Sequence, residues 1–285
     1  MWNWLLDPFL QYAFMRSALL GCVLVCVSAI PVGVFMILRR MSLTGDAMAH
    51  AILPGVAVAY WLGGFSLVGM TIGGLSAGVL VALSAGWIAR VWRLHEDASL
   101  ASLYLVALAA GVVILSAAGN RIDLFHVLFG SVLGLKAAAL KLLAGIATLS
   151  LLILSVIFRP LVLDSLNPAL AAGSGRQGAV AHYGFTLLMV LNLVAGFQAL
   201  GTLMAVGLMI LPAAAARFCV DSLPLLMAVA VALGIVGSMC GLFLSFYAAL
   251  PAGPAIVLVL GVFYLIALTA ARLRQTAHHQ QIQEF

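Results

Sequence analysis

Residues 17–38 read S-A-L-L-G-C-V-L-V-C-V-S-A-I-P-V-G-V-F-M-I-L, an apolar stretch without a charged side chain. The hydrocarbon core of a bilayer is crossed by about 20 such residues wound as a helix, because lipid offers the backbone no hydrogen-bond partner. Further apolar runs lie at 51–62, 66–89, 99–118, 138–158, 182–199, 201–216, 224–246 and 254–271. The run at 51–62 is short and extends back to about Thr44 if the helix starts early. Composition agrees with these runs. Of 285 residues, 65% are hydrophobic and 7% charged, where a soluble domain carries about 25% charged residues. Mean hydropathy is +1.24. The expected fold class is all-α, a polytopic membrane helical bundle of about 8–9 transmembrane helices forming a single domain over residues 1–285. The short alternating segments of a transmembrane β-barrel are not visible.

The formal net charge of +5 is small and dispersed. The basic residues sit beside apolar runs, which suits membrane topology rather than nucleic-acid binding. Arg39 and Arg40, Arg90 and Arg93, Arg159 and Arg176, Arg217, and Arg272 and Arg274 flank alternate run ends. Placing them all in the cytoplasm requires an odd number of spans, the N-terminus outside and the C-terminus inside. Arg121, Lys136 and Lys141 then fall on the outer side, against the rule. Trp2 and Trp4 read as interfacial anchors. With Asp7 and Arg16 they replace the short basic region of a cleavable signal peptide. The polar tail at 275–285, which contains His278 and His279, is expected to be disordered at the cytoplasmic face.

Cys22 and Cys26 lie one turn apart within an apolar run and read as small packing residues rather than as a soft-metal pair, while Cys219 and Cys240 are isolated. G-M-T-I-G at 69–73, G-L-S-A-G at 74–78 and G-S-M-C-G at 237–241 repeat the spacing that lets membrane helices approach closely, in a tight bundle or at a subunit interface. Pro31, Pro54, Pro212, Pro251 and Pro254 lie in or beside apolar runs, where broken helices free backbone groups to line a pathway.

Within this oily chain, residues 44–55 read T-G-D-A-M-A-H-A-I-L-P-G. Asp46 and His50 share one helix face, a turn apart. A carboxylate and an imidazole so placed form half of a site for a divalent transition metal. Ionisable groups inside a bilayer face a bundle interior or a polar pathway. The competing reading is a capping aspartate and a histidine bonded to a backbone carbonyl. Residues 158–177, F-R-P-L-V-L-D-S-L-N-P-A-L-A-A-G-S-G-R-Q, form the longest segment assigned to the cytoplasm. Asn167 as N-cap, Pro168 in the first turn and Gly173 as the stop would make a short helix on the inner face. Such a helix is a docking element or a connector. The sequence contains no G-x-x-x-x-G-K-[ST], H-E-x-x-H or nucleophile elbow, so moving a solute is favoured over catalysis.

Three blocks together resemble one family. M-S-L-T-G-D-A-M-A-H-A-I-L-P-G-V-A-V-A-Y at 41–60, D-L-F-H-V-L-F-G-S-V-L-G at 123–134 and A-L-G-T-L-M-A-V-G-L-M-I-L-P-A-A-A-A-R at 199–217 occur in that order, followed by L-P-A-G-P-A-I-V-L at 250–258. Together they resemble the permease subunit of bacterial ABC importers for zinc, manganese or iron(II), across nearly the whole chain. The resemblance implies a single transmembrane permease domain in the bacterial inner (plasma) membrane, without catalysis or a permanently bound cofactor, that passes Zn²⁺, Mn²⁺ or Fe²⁺. It implies three partners: a second permease copy, either identical or related, cytoplasmic ATP-binding subunits, and an extracytoplasmic metal-binding protein.

By the same resemblance Asp46 and His50 match the pore-facing acid and histidine, and two copies would supply two oxygen and two nitrogen ligands. The 158–177 segment matches the coupling loop that docks on the ATPase, with Asp164, Asn167, Pro168, Leu170, Ala171 and Gly173 as its coupling residues. Asp123 and His126 are candidate metal ligands at the outer face, or polar residues that fix a loop. One position departs from the pattern: where family members often carry an aspartate before L-P-x-G-P, this chain has Ala249. Two other readings compete with the importer. An ion-coupled secondary metal transporter would use Asp46 as its coupling carboxylate, and would usually show inverted repeats, which are not visible. An intramembrane metalloenzyme would need a complete ligand set in one chain.

Overall fold

The apolar runs fold as helices, the form in which a backbone surrounded by hydrocarbon satisfies itself. A computed structural model of the chain describes residues 8–9, 11–64, 66–92, 96–117, 132–166 and 176–283. Among them α1 (Ala13–Leu38), α2 (Ser42–Ala51), α3 (Leu53–Gly63), α4 (Leu67–Trp92) and α5 (Glu96–Ala117) precede α6 (Ala137–Leu166), α7 (Arg176–Leu200), α8 (Thr202–Arg217), α9 (Leu223–Ala248) and α10 (Ala252–Gln283). Seven of these, α1, α4–α7, α9 and α10, are long and apolar enough to cross a membrane. α8 has 16 residues and spans about 24 Å, less than the hydrocarbon core. With α8 and the broken α2–α3 pair, the described residues hold nine apolar segments, in line with the expected bundle.

α1 and α7 form the centre. α1 packs on α6, α7, α8 and α9, while α7 packs on α1, α4, α6 and α8. Ile30, Phe35 and Met36 of α1 and Phe185, Leu188 and Met189 of α7 are fully buried there. One flank holds α2–α5 and the other α8–α10. The outer helices leave Leu80, Val106, Val156 and Leu258 exposed, where lipid would replace water.

Close helix crossings depend on glycine. Gly55 of α3 and Gly73 of α4 place their backbones against each other, and a Cβ on either would strike the other's carbonyl. Gly78 faces Ile52 and Val190, and Gly241 faces the Ile256 backbone. These small-residue motifs therefore tighten the bundle within the chain.

Several connections among the described residues are short. α1 ends in a Schellman-type turn, with the Met41 N–H donating to the Met36 carbonyl at 2.8 Å and Arg40 at φ 59°. α2 leads to α3 through Ile52. Pro54 has no N–H for the His50 carbonyl four residues earlier, so the helix breaks there. Gly201 alone separates α7 from α8, at φ 88°, a value that glycine adopts freely.

Two boundaries differ from the sequence reading. The span expected to end near residue 158 continues as α6 through Pro160 to Leu166. Leu161 is fully buried and Asp164 is ion-paired, so tertiary contacts hold the turns beyond the proline. The tail expected to be disordered from 275 is helical as far as Gln283. Its Gln-rich sequence lacks glycine and proline, and extending an existing helix avoids the cost of nucleation.

Candidate functional site

α2 is short, and its two faces differ. Thr44, Ala47, Met48 and Ala51, spaced i, i+3, i+4, i+7, are buried against the bundle. Leu43 and Asp46 are on the open face, with Leu43 80% exposed. Asp46 is 70% exposed at its side chain and His50 25%. The Asp46 Oδ1 and His50 Nε2 atoms stand 3.9 Å apart, too far for a hydrogen bond. Two ligands on about 2.1 Å bonds at a tetrahedral ion are roughly 3.4 Å apart. A small rotation of the exposed carboxylate closes that difference.

The imidazole is held from behind. Its ring stacks on Tyr104 of α5, with centroids 6.5 Å apart and planes 30° apart. Its Nδ1 is buried without a hydrogen-bond partner, as are the hydroxyls of Thr44 on α2 and Ser99 on α5. Among the described residues no group of three or more His, Cys, Asp and Glu side chains could hold a metal. One chain thus presents two ligands on an open face, followed directly by a helix break.

The remaining sequence candidates separate. Asp164 is on the last turn of α6, mostly buried and ion-paired with Arg39 at the end of α1. Asn167, Pro168, Leu170, Ala171 and Gly173 lie outside the described residues, as do Asp123 and His126. Ala249 follows α9 in the left-handed region at φ 52°, where the Leu250 N–H donates to the Ser245 carbonyl at 3.2 Å. Sequence reasoning missed Tyr104 and the Arg39–Asp164 pair. Neither carries a local signal, since Tyr104 sits in an apolar run and Arg39 reads as a topology marker.

A multi-pass helical bundle with a broken helix presenting an acid and an imidazole is a membrane-transport architecture. The chain belongs to the ABC 3 transport family, which matches residues 11–271. It is 34% identical to the manganese transport system membrane protein MntC of Halalkalibacterium halodurans, over 92% of this chain and 88% of that protein. It is also 34% identical to the manganese import system permease protein ScaB of Streptococcus parasanguinis, over 96% of each. A probable iron transport system membrane protein of Haemophilus influenzae is 30% identical, over 96% of this chain and 99% of that one.

The solved structure of PsaBC from Streptococcus pneumoniae in complex with Fab superposes with a TM-score of 0.82 at 32% identity, covering 94% of this chain and 95% of that one. An inward-facing putative metal-chelate type ABC transporter shares the fold, with a TM-score of 0.64 at 14% identity, covering 90% of this chain and 85% of that chain. The chain is therefore a multi-pass membrane permease of the ABC type, and the secondary-transporter and metalloenzyme readings fall away.

Proposed function

We propose that this permease carries divalent transition metal ions into the cell, manganese foremost, with iron(II) and zinc admitted by the same ligands. One observation carries the reading. An exposed carboxylate and an imidazole share the open face of a broken membrane helix, in a chain 34% identical to manganese permeases. Oxygen and nitrogen donors suit these ions and argue against bulky organic cargo. A second permease copy facing α2 would complete a set of two carboxylates and two imidazoles around the passing ion. Few protein ligands, with water filling the rest, let the ion bind and leave.

The chain itself catalyses nothing in this account. Separate cytoplasmic subunits hydrolyse ATP and dock on the segment from 158 to 177 through Asn167, Pro168, Leu170, Ala171 and Gly173, while Asp164, mostly buried and ion-paired with Arg39, couples from behind that surface without touching the ATPase. An extracytoplasmic metal-binding protein delivers the ion. The metal is cargo, and Asp123 and His126 are proposed to meet it at the outer face.

The test is manganese uptake by proteoliposomes holding the permease, its ATPase and the delivery protein. Uptake should require ATP and all three components. Equal uptake by the permease alone would refute the assignment. Proline in place of Leu170 or Ala171 should release the ATPase while permease pairs persist, and unchanged co-purification would remove the docking assignment.

A further inference from the structure

Three helices meet at one arginine where α1 turns toward α2. The Arg39 guanidinium pairs with the Asp164 carboxylate of α6, and both side chains are mostly buried, 11% and 16% exposed. Its central carbon lies 4.8 Å from the centroid of the Phe185 ring on α7. Burying such a pair is a poor route to stability, since apolar residues of similar volume often stabilise as well or better. Its place in the chain suggests another role.

On one side, Arg39 is seven residues before Asp46, joined to α2 by the tight turn at Arg40 and Met41. On the other, Asp164 is two residues before the end of α6, beside the segment proposed to dock on the ATPase. Pro160 interrupts the α6 hydrogen-bond ladder one turn before Asp164. Beyond that one missing bond the ladder resumes, and the fully buried Leu161 anchors the last turn against the bundle.

We infer that Arg39 and Asp164 are positioning residues for transport, an ion-paired strut that passes movement of the docking segment to α2 and so to Asp46 and His50. The inference rests on the transport function proposed above. A merely structural pair would behave differently when both charges are removed together.

The test uses Arg39→Met and Asp164→Leu, singly and combined, in the reconstituted permease–ATPase complex with Mn²⁺ and the delivery protein. Each single variant strands a buried charge and should melt earlier than wild type. The double variant should melt like wild type, keep its ATPase subunits and hydrolyse ATP at the basal rate. Its manganese carried per ATP should nonetheless fall by about tenfold or more, an ordinary size for coupling between two sites. A double variant importing within about twofold of wild type would overturn the strut.

If the double variant does not assemble, Asp164→Glu decides, because it keeps the charge. Import within about threefold supports the strut, and an assembled complex with import down about tenfold overturns it. Failure of wild-type import would instead sink the proposed function, and the two failures are separable.

Discussion

Replacing Asp46 with alanine should abolish transport while leaving the fold almost untouched. The side chain is 70% exposed, and its one described ion-pair partner is His50, 3.9 Å away on the same helix. An i, i+4 pair of this kind is worth about 0.3–0.5 kcal/mol. Alanine is the better helix former by up to roughly 0.7 kcal/mol, which offsets that loss. The net change in stability should stay within about 0.5 kcal/mol, ordinary for an exposed position. Transport should respond very differently. A pair of permeases loses two of its four proposed ligands, and since disturbing even an outer-sphere metal contact costs 10–100-fold, uptake should fall by at least about a hundredfold. The assay pairs thermal unfolding in detergent with radioactive manganese uptake into proteoliposomes. Uptake at the wild-type rate with unchanged melting would show that the carboxylate is outside the pathway. His50→Ala should lose transport equally but also lower the melting temperature, because it removes a ring packed on Tyr104.

Other consequences concern how the bundle is held. Gly55→Ala drives a Cβ into the Gly73 backbone and should cost about 1–3 kcal/mol as overpacking, whereas Gly145→Ala meets nothing within 4 Å and should stabilise by up to about 1 kcal/mol. Detergent melts that rank the two variants the other way would contradict the crossing. Ala249→Gly should gain about 1 kcal/mol, because it relieves a left-handed conformation that costs an L-residue with a Cβ roughly 1–2 kcal/mol; unchanged chemical stability would argue against that turn. Asn192 donates to the Ser150 hydroxyl at 2.7 Å between α7 and α6. A double-mutant cycle with alanine at both positions should return a coupling near 0.6 kcal/mol, and a cycle that closes at zero would dismiss the contact.

Much of this architecture is legible in the sequence, because a lipid-facing helix needs an unbroken apolar run. The runs at 66–89 and 224–246 therefore mark α4 and α9 to within a few residues. Gly201 and Pro54 stand out as places where a helix can divide, since glycine and proline act on the backbone locally. The sequence alone leaves the 44–64 segment and the division at Gly201 open, and the structure shows both breaks. Asp46 and His50 can be placed on one face because four residues make nearly one helical turn.

What stays hidden depends on distant partners. Nothing near Pro160 announces that α6 continues past it, because Leu161 and Asp164 are held by contacts from other helices. Arg39 looks like any cytoplasmic arginine until Asp164 and Phe185 are brought beside it. The small-residue motifs show that helices approach closely, but not whether the neighbour lies in the same chain, which Gly73 and Gly241 settle for their own crossings.

The most direct measurement locates Mn²⁺ in the assembled, metal-loaded transporter, by anomalous scattering or by nitrogen couplings in pulsed EPR. The ion should be bound by Asp46 carboxylates and His50 imidazoles from both permease copies, with couplings that disappear in His50→Ala. An ion bound elsewhere, with α2 turned toward lipid, would contradict that assignment.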